Sequence, residues 1–326
     1  MKSVSVGITT NMQISATSWI AKNAKSLGAN GIWIGEDIDL GQEIFSLTTS
    51  TIMQSEGIKI GTGIVPITIH NMSTLARVGK TLNILSNGRF ILGLGIGGIQ
   101  DLKSKQISVN KPVTALRRTV RSLRSLWKGK TVTSKHEYSH LEDYKLKIKS
   151  PMDIPIFLGV RGPQMLKLAG EEADGVILSG PVEYLKNAID IVDKSAESNR
   201  RPIPKKVGWL ATIPTSDKDV KIAKRVVSLI VADTPQSVIE KLDVDLELVE
   251  IIRQKVSKEG PKAGIPYVTE EMMDVFAVSG TTDQMVDKYE NLWNMGIDDV
   301  VFGPPFFGDW RNKMKEVFQE IREREM

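Results

Sequence analysis

The chain alternates short apolar runs with longer segments whose apolar residues recur at helical spacing. In residues 73–85, Leu75, Val78, Leu82 and Leu85 lie three or four positions apart, which places them on one face of a helix. Strands and helices that alternate in this way form a parallel sheet covered by helices, so the pattern predicts an α/β fold. The predicted strands span 3–9, 31–37, 58–65, 90–94, 154–160, 175–179, 206–213 and 299–302.

Eight strands separated by helices favour a closed (β/α)8 TIM barrel over a doubly wound open sheet. Residues 131–148 alternate polar, aromatic and apolar positions and predict a hairpin or loop inserted after the fourth strand. The tract 219–296 is typical of helix throughout and is long enough to hold an insertion around the seventh helix. No linker rich in Pro, Gly or Ser divides the chain, so one domain over residues 1–326 is predicted.

The composition excludes several kinds of site. The chain has no cysteine, so disulfides, thiolate metal sites and cysteine nucleophiles are excluded. Its three histidines, His70, His136 and His140, are too few to favour a metal site built from imidazoles. The net charge of +4 comes with acidic and basic residues interleaved, and no nucleic-acid partner is predicted. No apolar run approaches the length of about 18 residues that spans a membrane, so a soluble cytoplasmic protein is expected.

The fourth predicted strand runs directly into glycines. In GRFILGLGIGGIQD (88–101), Gly95 and Gly97 remove side chains where the strand ends. In a barrel, the residues that carry out chemistry lie at the carboxyl ends of the strands and in the loops that follow them. Such glycines either let a flat or phosphorylated ligand approach the backbone, or serve only a tight turn and close strand packing.

Polar candidates lie at the carboxyl ends of three other strands or in the loops just after them. Glu36 and Asp37 are adjacent, so on a strand their side chains face opposite ways and cannot form one acid–base pair. Either one could accept a proton or hydrogen-bond a cofactor ring, and the alternative is a helix cap or an ion pair. His70, in the loop after the third strand, is either a ligand contact or a structural residue. Ser179 and Gly180 precede a helix, where free N–H groups suit a phosphate, although a plain turn with a serine cap has the same pattern.

Several stretches resemble a known family. LSNGRFILGLGIG (85–97) is similar to a signature of the bacterial-luciferase-like barrels. IPIFLGVRGPQMLKLAGEEADGVILSGP (154–181) resembles more specifically the methylenetetrahydromethanopterin reductases, which are luciferase-like barrels that use the deazaflavin coenzyme F420. Similar stretches follow in the same order at 226–245, 272–292 and 296–305, so the resemblance covers nearly the whole chain.

The resemblance implies an oxidoreductase that transfers a hydride between reduced coenzyme F420 and a one-carbon unit on a pterin-like substrate, in a homo-oligomer. It makes Glu36 the residue expected to hydrogen-bond the deazaflavin or relay a proton, and His70 the second catalytic candidate. A non-proline cis peptide bond that supports the deazaflavin ring is expected at Gly63–Ile64. The residues expected to bind the cofactor are Glu36, Gly63, Ile64, Gly95, Ile96, Gly97, Gly159, Ser179 and Gly180.

Departures from the reductase pattern leave other functions open. Thr9 stands near the end of the first strand, where the family has a glutamate proposed to act as an acid. Glu36 and Asp37 stand where the family has an Asp-His pair. One alternative is a luciferase-like monooxygenase that binds FMN. The other is a barrel that binds deazaflavin without turning over a substrate.

Overall fold

The computed structural model of the protein describes residues 2–38, 40–98, 102, 105–214, 220–234 and 236–325. The chain divides into two compact units. The first unit comprises Val4–Leu178 and Asp190–Val207, and the second comprises mainly Ser179–Ile189 and the residues after Val207. This division by contacts does not test the prediction of a single domain, which stays a prediction.

Strands alternate with helices along most of the chain. The strands are β1 (Ser3–Thr9), β2 (Gly31–Gly35), β3 (Lys59–Thr62), β4 (Val65–Pro66), β5 (Phe90–Gly95), β6 (Thr131–His136), β7 (Ser139–Lys145), β8 (Ile156–Gly159), β9 (Gly175–Leu178), β10 (Lys205–Pro214), β11 (Ala277–Gly280) and β12 (Asp299–Phe302). The α-helices are α1 (Ile14–Leu27), α2 (Ile44–Gln54), α3 (Met72–Leu85), α4 (Pro112–Trp127), α5 (Pro163–Glu172), α6 (Val182–Ser198), α7 (Val220–Asp233), α8 (Gln236–Ile239), α9 (Leu246–Glu259), α10 (Glu270–Phe276), α11 (Thr282–Met295) and α12 (Trp310–Glu325). A 3₁₀ helix covers Pro261–Tyr267. Among the described helices, none has both the length and the apolar composition that crossing a membrane requires.

The first unit contains a parallel sheet in the order β1-β2-β3-β5-β8-β9, and the short strand β4 pairs with β5. Every residue of β2 and β5 is buried, as expected for strands covered on both faces. The register sets Val6 opposite Ile32 and Leu92 opposite Ile156, so the carboxyl ends of the strands share one edge. The loops after β2, β4 and β5 therefore begin at that edge.

The second unit corrects one prediction. Within the tract 219–296, which the sequence predicts to be helical throughout, Ala277–Gly280 forms β11. This strand runs parallel to β10, with Ala211 opposite Ala277, and β10 also pairs with β12. β11 follows α10 without a break, and its sequence AVSG holds only two apolar residues, so no apolar run marks it as a strand and pairing with β10 decides the local structure. Asp219 lies outside the described residues.

Residues 131–145 form the antiparallel hairpin of β6 and β7, in which Thr131 lies opposite Lys145 and His136 opposite Ser139. The hairpin packs on α4, where Arg118 donates a hydrogen bond to the carbonyl of Lys135. It also packs on α3, the helix that follows the loop after β4. The sequence predicted either a hairpin or a loop for this segment, and the structure shows the hairpin.

Candidate active site

Two of the candidate residues meet at the carboxyl edge of the sheet in the first unit. Glu36 directly follows β2, and His70 lies in the loop between β4 and α3. His70 Nε2 is 2.9 Å from each carboxylate oxygen of Glu36. The two side chains keep only 16% and 13% of their surface exposed, so the pair is largely shielded from bulk water.

The Glu36 carboxylate determines which proton of His70 can be exchanged. Nε2 carries a hydrogen when it donates to a carboxylate, and a neutral imidazole then has its lone pair on Nδ1. Protonation at Nδ1 leaves the bond to Glu36 in place and brings the positive charge next to a carboxylate. The pair can therefore take up or release a proton at Nδ1 without losing its own contact.

Neighbouring residues of α2 add an aromatic wall and a second acidic group. The ring of Phe45 meets the His70 ring edge-on, with 4.9 Å between centroids. Glu43 caps α2 by accepting hydrogen bonds from the Phe45 and Ser46 amides at 3.0 and 2.7 Å. Burial raises the pKa of Glu43, but these amide hydrogen bonds and the nearby His70 outweigh burial and hold the pKa below its usual range. Glu43 is therefore a stable negative charge near the imidazole.

Asp37 has a different environment from its neighbour Glu36. Its Oδ2 accepts the N–H of Asn11 at 3.2 Å, and its own N–H donates to Thr10 Oγ1 at 2.8 Å. Asp37 thus connects the loop after β2 to the loop after β1. The sequence predicted that the two adjacent carboxylates would not act together, and only Glu36 lies on His70.

The peptide bond Gly63–Ile64, between β3 and β4, is cis, at the position that the resemblance implied. The side chain of Ile64 is partly exposed and lies between two glycines. A Cβ atom at Gly95 would come 2.8 Å from the Gly159 carbonyl oxygen and 2.9 Å from Ile64 Cγ1, and a Cβ atom at Gly159 would come 2.5 Å from Ile64 Cγ2. Gly95 and Gly159 therefore make room for the Ile64 side chain, which is the close-packing role that the sequence left open for such glycines.

The loop after β5 is fixed to the loop that carries His70. Thr68 Oγ1 donates a hydrogen bond to the Ile96 carbonyl at 2.8 Å. Ile96 and Gly97 are partly exposed, and Gly97 has φ +108°, a backbone conformation that favours glycine. Residues 99–101, the end of the glycine-rich stretch, lie outside the described residues.

These features fit a flat ring system. Ile64 offers a partly exposed apolar side chain that packs against two glycines. Gly97 lacks a side chain, so its backbone is partly exposed. A largely shielded acid–base pair is present in the same unit. No group of three or more His, Asp and Glu residues suited to a metal ion occurs among the described residues.

Ser179 and Gly180 belong to the second unit. Gly180 has φ +145°, and a Cβ atom there would come 2.9 Å from Tyr184 Cδ1. The two residues lie just before α6, whose first N–H groups lack partners within the helix. Phosphate binding by Ser179 and Gly180 stays a prediction.

Sequence reasoning missed the residues that hold the pair in place. Phe45 is one apolar residue among several in α2, and Thr68 is one of many hydroxyl residues in the chain. Phe45 belongs to no motif, and the signal for Thr68 was its place in the loop that also contains His70. Their contacts depend on the fold and not on spacing in the sequence.

The chain is similar to known proteins along most of its length. The family model described as luciferase-like monooxygenase matches residues 3–299. The 5,10-methylenetetrahydromethanopterin reductase of Archaeoglobus fulgidus is 30% identical over 322 residues, which are 95% of this chain and 96% of that protein. The protein of the same name from Methanolobus tindarius is 31% identical over 310 residues, which are 92% of this chain and 94% of that protein.

A solved structure has the same fold. The coenzyme F420 dependent tetrahydromethanopterin reductase from Methanopyrus kandleri matches with a TM-score of 0.90 and 25% sequence identity, over 99% of each chain. This match confirms the predicted (β/α)8 barrel, and the family match confirms the predicted resemblance. The chain therefore belongs to the luciferase-like monooxygenase family, and it is similar over nearly its whole length to the 5,10-methylenetetrahydromethanopterin reductases.

Proposed function

We propose that the chain is a coenzyme F420-dependent oxidoreductase that transfers a hydride to a one-carbon unit carried by a pterin, with 5,10-methylenetetrahydromethanopterin as its substrate. The observation that carries this proposal is the full-length similarity to reductases of that name, in sequence and in structure. The shielded pair of Glu36 and His70 supports it, because the reaction also needs a group that handles a proton.

Reduction of a methylene bridge between two nitrogens has two requirements. A hydride must reach the carbon, and the nitrogen released from that carbon must receive a proton. The reduced deazaflavin, when bound, supplies the hydride. The chain must then orient both partners, exclude water and deliver the proton, which are the usual contributions of a protein to cofactor chemistry.

We assign delivery of this proton to the pair of Glu36 and His70. His70 releases it from Nδ1, and Glu36 holds the imidazole in place through Nε2. This assignment accounts for Thr9, which stands in the place of the acid that the resemblance implied. Thr9 lies opposite Gly35, the last residue of β2, so Glu36, which directly follows β2, lies one residue beyond the position opposite Thr9.

The residues proposed to bind the cofactor in the first unit are Glu36, Gly63, Ile64, Gly95, Ile96, Gly97 and Gly159. Ile64 is proposed to support the ring, with Gly95 and Gly159 fixing its side chain. Ser179 and Gly180 are proposed to bind the phosphate through N–H groups before α6. Since these residues belong to two different units, ring binding and phosphate binding are to be tested separately.

The test is an anaerobic assay with purified protein. Reduced coenzyme F420 is titrated first, 5,10-methylenetetrahydromethanopterin is then added, and the deazaflavin absorbance is followed. Oxidation at a rate proportional to protein supports the proposal. Binding without oxidation rejects the substrate and leaves a deazaflavin-binding barrel, whereas a protein that copurifies with FMN and consumes oxygen with NADH is a monooxygenase.

A further inference from the structure

The hairpin of β6 and β7 reaches the helix that follows His70. Ser139, the first residue of β7, is buried, and its Oγ accepts a hydrogen bond from the Met72 N–H at 2.9 Å. Met72 is the first residue of α3 and is fully buried. Its N–H is one of the first four donors of the helix, which no carbonyl of the same helix can satisfy. Ser139 therefore supplies, from another element, a partner that α3 lacks.

The start of α3 is joined closely to His70. Asn71, the residue between His70 and Met72, caps the helix, and its Oδ1 accepts the Thr74 N–H at 2.9 Å. The His70 N–H donates to the Pro66 carbonyl at 3.2 Å. Neighbouring Cα atoms stay about 3.8 Å apart, so a shift of the helix start carries the His70 backbone with it.

The hairpin turn is itself anchored within the first unit. His136 Nε2 lies 3.0 Å from Thr119 Oγ1 of α4, and His136 Nδ1 accepts the Tyr138 N–H at 3.2 Å. The Tyr138 hydroxyl accepts the N–H of Asn110 at 3.1 Å. Ser139 therefore presents its hydroxyl from a fixed turn and can hold the start of α3 in place.

We propose that Ser139 is a positioning residue: by accepting the Met72 N–H it fixes the start of α3 and thereby holds the His70 imidazole on Glu36. Ser139 touches neither of these two side chains in the contacts described, and it acts through the helix. The inference rests on the proposed function, because the pair that Ser139 positions is the pair proposed to handle the proton. A direct measurement on His70 separates the two proposals.

The measurement uses the fact that His70, His136 and His140 are the three histidines of the chain. In the full-length protein labelled with ¹³C-histidine, the ring signals are assigned with single His→Gln variants. Ser139→Ala removes the acceptor of the Met72 N–H. The control Thr133→Ala removes a hydroxyl from the same hairpin, where it pairs across the strands with Asp143 and not with α3.

We expect Ser139→Ala to move the His70 ring signals and to lower kcat roughly tenfold, with KM changed by less than about twofold, because a misplaced catalytic group slows chemistry more than binding. Thr133→Ala should leave the His70 signals and kcat unchanged. If Ser139→Ala does not fold, Ser139→Cys, whose sulfur is a weak acceptor, is measured with the same expectations.

Unmoved His70 signals in Ser139→Ala overturn the positioning role, whatever the activity. If Thr133→Ala moves the His70 signals equally, the positioning role of Ser139 is also overturned, because loss of any hydroxyl in the hairpin would then have the same effect. Moved signals in a protein that reduces no pterin keep the positioning role and reject the proposed function instead.

Discussion

Replacement of Glu36 tests the proposed proton relay most directly. Glu36→Gln keeps the length of the side chain and an oxygen that can accept from His70 Nε2, but it removes the negative charge. Glu36→Ala removes the acceptor altogether. The two variants therefore separate the effect of the charge from the effect of the whole hydrogen bond.

The expected magnitude follows from the contact at 2.9 Å. A hydrogen bond to a charged group contributes about 1.5–3 kcal/mol and a neutral one about 0.5–1.5 kcal/mol, so loss of the charge costs roughly 1–1.5 kcal/mol. At about 1.36 kcal/mol for each factor of ten, Glu36→Gln should lower kcat about 5- to 13-fold and Glu36→Ala about 13- to 160-fold. Solvent screening reduces these values little, because the two side chains are only 16% and 13% exposed.

The assay is the anaerobic oxidation of reduced coenzyme F420 at saturating pterin, with kcat and KM determined separately. Asp37→Asn is the matched control, because it removes the same charge from the adjacent residue, which bonds to the loop after β1. A Glu36→Gln enzyme with the kcat of the wild type would refute the assignment. An Asp37→Asn enzyme that loses as much activity would refute it as well, because removing a negative charge from either residue of the loop would then have the same effect.

Three further changes have defined outcomes. Gly159→Ala places a Cβ atom 2.5 Å from Ile64 Cγ2, so we expect a lower Tm and a higher Kd for coenzyme F420, from overpacking of about 1–3 kcal/mol, and we expect Ile64→Ala in the same chain to recover the Tm. Tyr289→Phe deletes a fully buried hydroxyl 3.2 Å from Thr212 Oγ1, and urea unfolding should show a loss of about 0.5–1.5 kcal/mol with kcat unchanged. Burial, and to a smaller extent the charge of a neighbouring arginine, lowers the pKa of His136 from its usual 6.5. As the pH falls, the unfolded chain therefore binds a proton at His136 before the folded chain does, and the free energy of unfolding decreases below about pH 6.5. His136→Gln should therefore lose less stability than the wild type between about pH 7.5 and pH 5.5, measured by urea unfolding.

The barrel could be predicted because apolar runs mark its strands and helical spacing of apolar residues marks its helices. β5 is a buried apolar run without polar alternation, and α3 repeats its apolar residues at helical spacing. β11 could not be predicted, because AVSG contains no apolar run and follows α10 directly, so only its pairing with β10 makes it a strand. Elements that carry an apolar run or helical spacing can thus be predicted whatever their length, and β11, which carries neither, depends on tertiary contacts.

The candidate site could be predicted only as a set of loops. The sequence placed Glu36 at the end of one strand and His70 in the loop after the next. Their contact depends on how the loop between β4 and α3 folds back through the His70 N–H and the Pro66 carbonyl. Ser139 lies 67 positions from the residue that it contacts and belongs to a segment outside the barrel pattern. No local spacing rule relates residues that are brought together in this way.

The sequence offers two explanations for the glycines at the strand ends, which are ligand binding and close packing. These two explanations need not exclude each other. A side chain at Gly93 would collide with the Thr62 carbonyl of the neighbouring strand, and side chains at Gly95 and Gly159 would collide with Ile64. These three glycines are therefore explained by packing alone. Two of them, however, determine where a partly exposed Ile64 can lie, and a flat ring bound there would rest on that side chain. Their effect on a ligand would then be indirect, so Gly159→Ala should weaken binding although no atom of Gly159 needs to touch the ring.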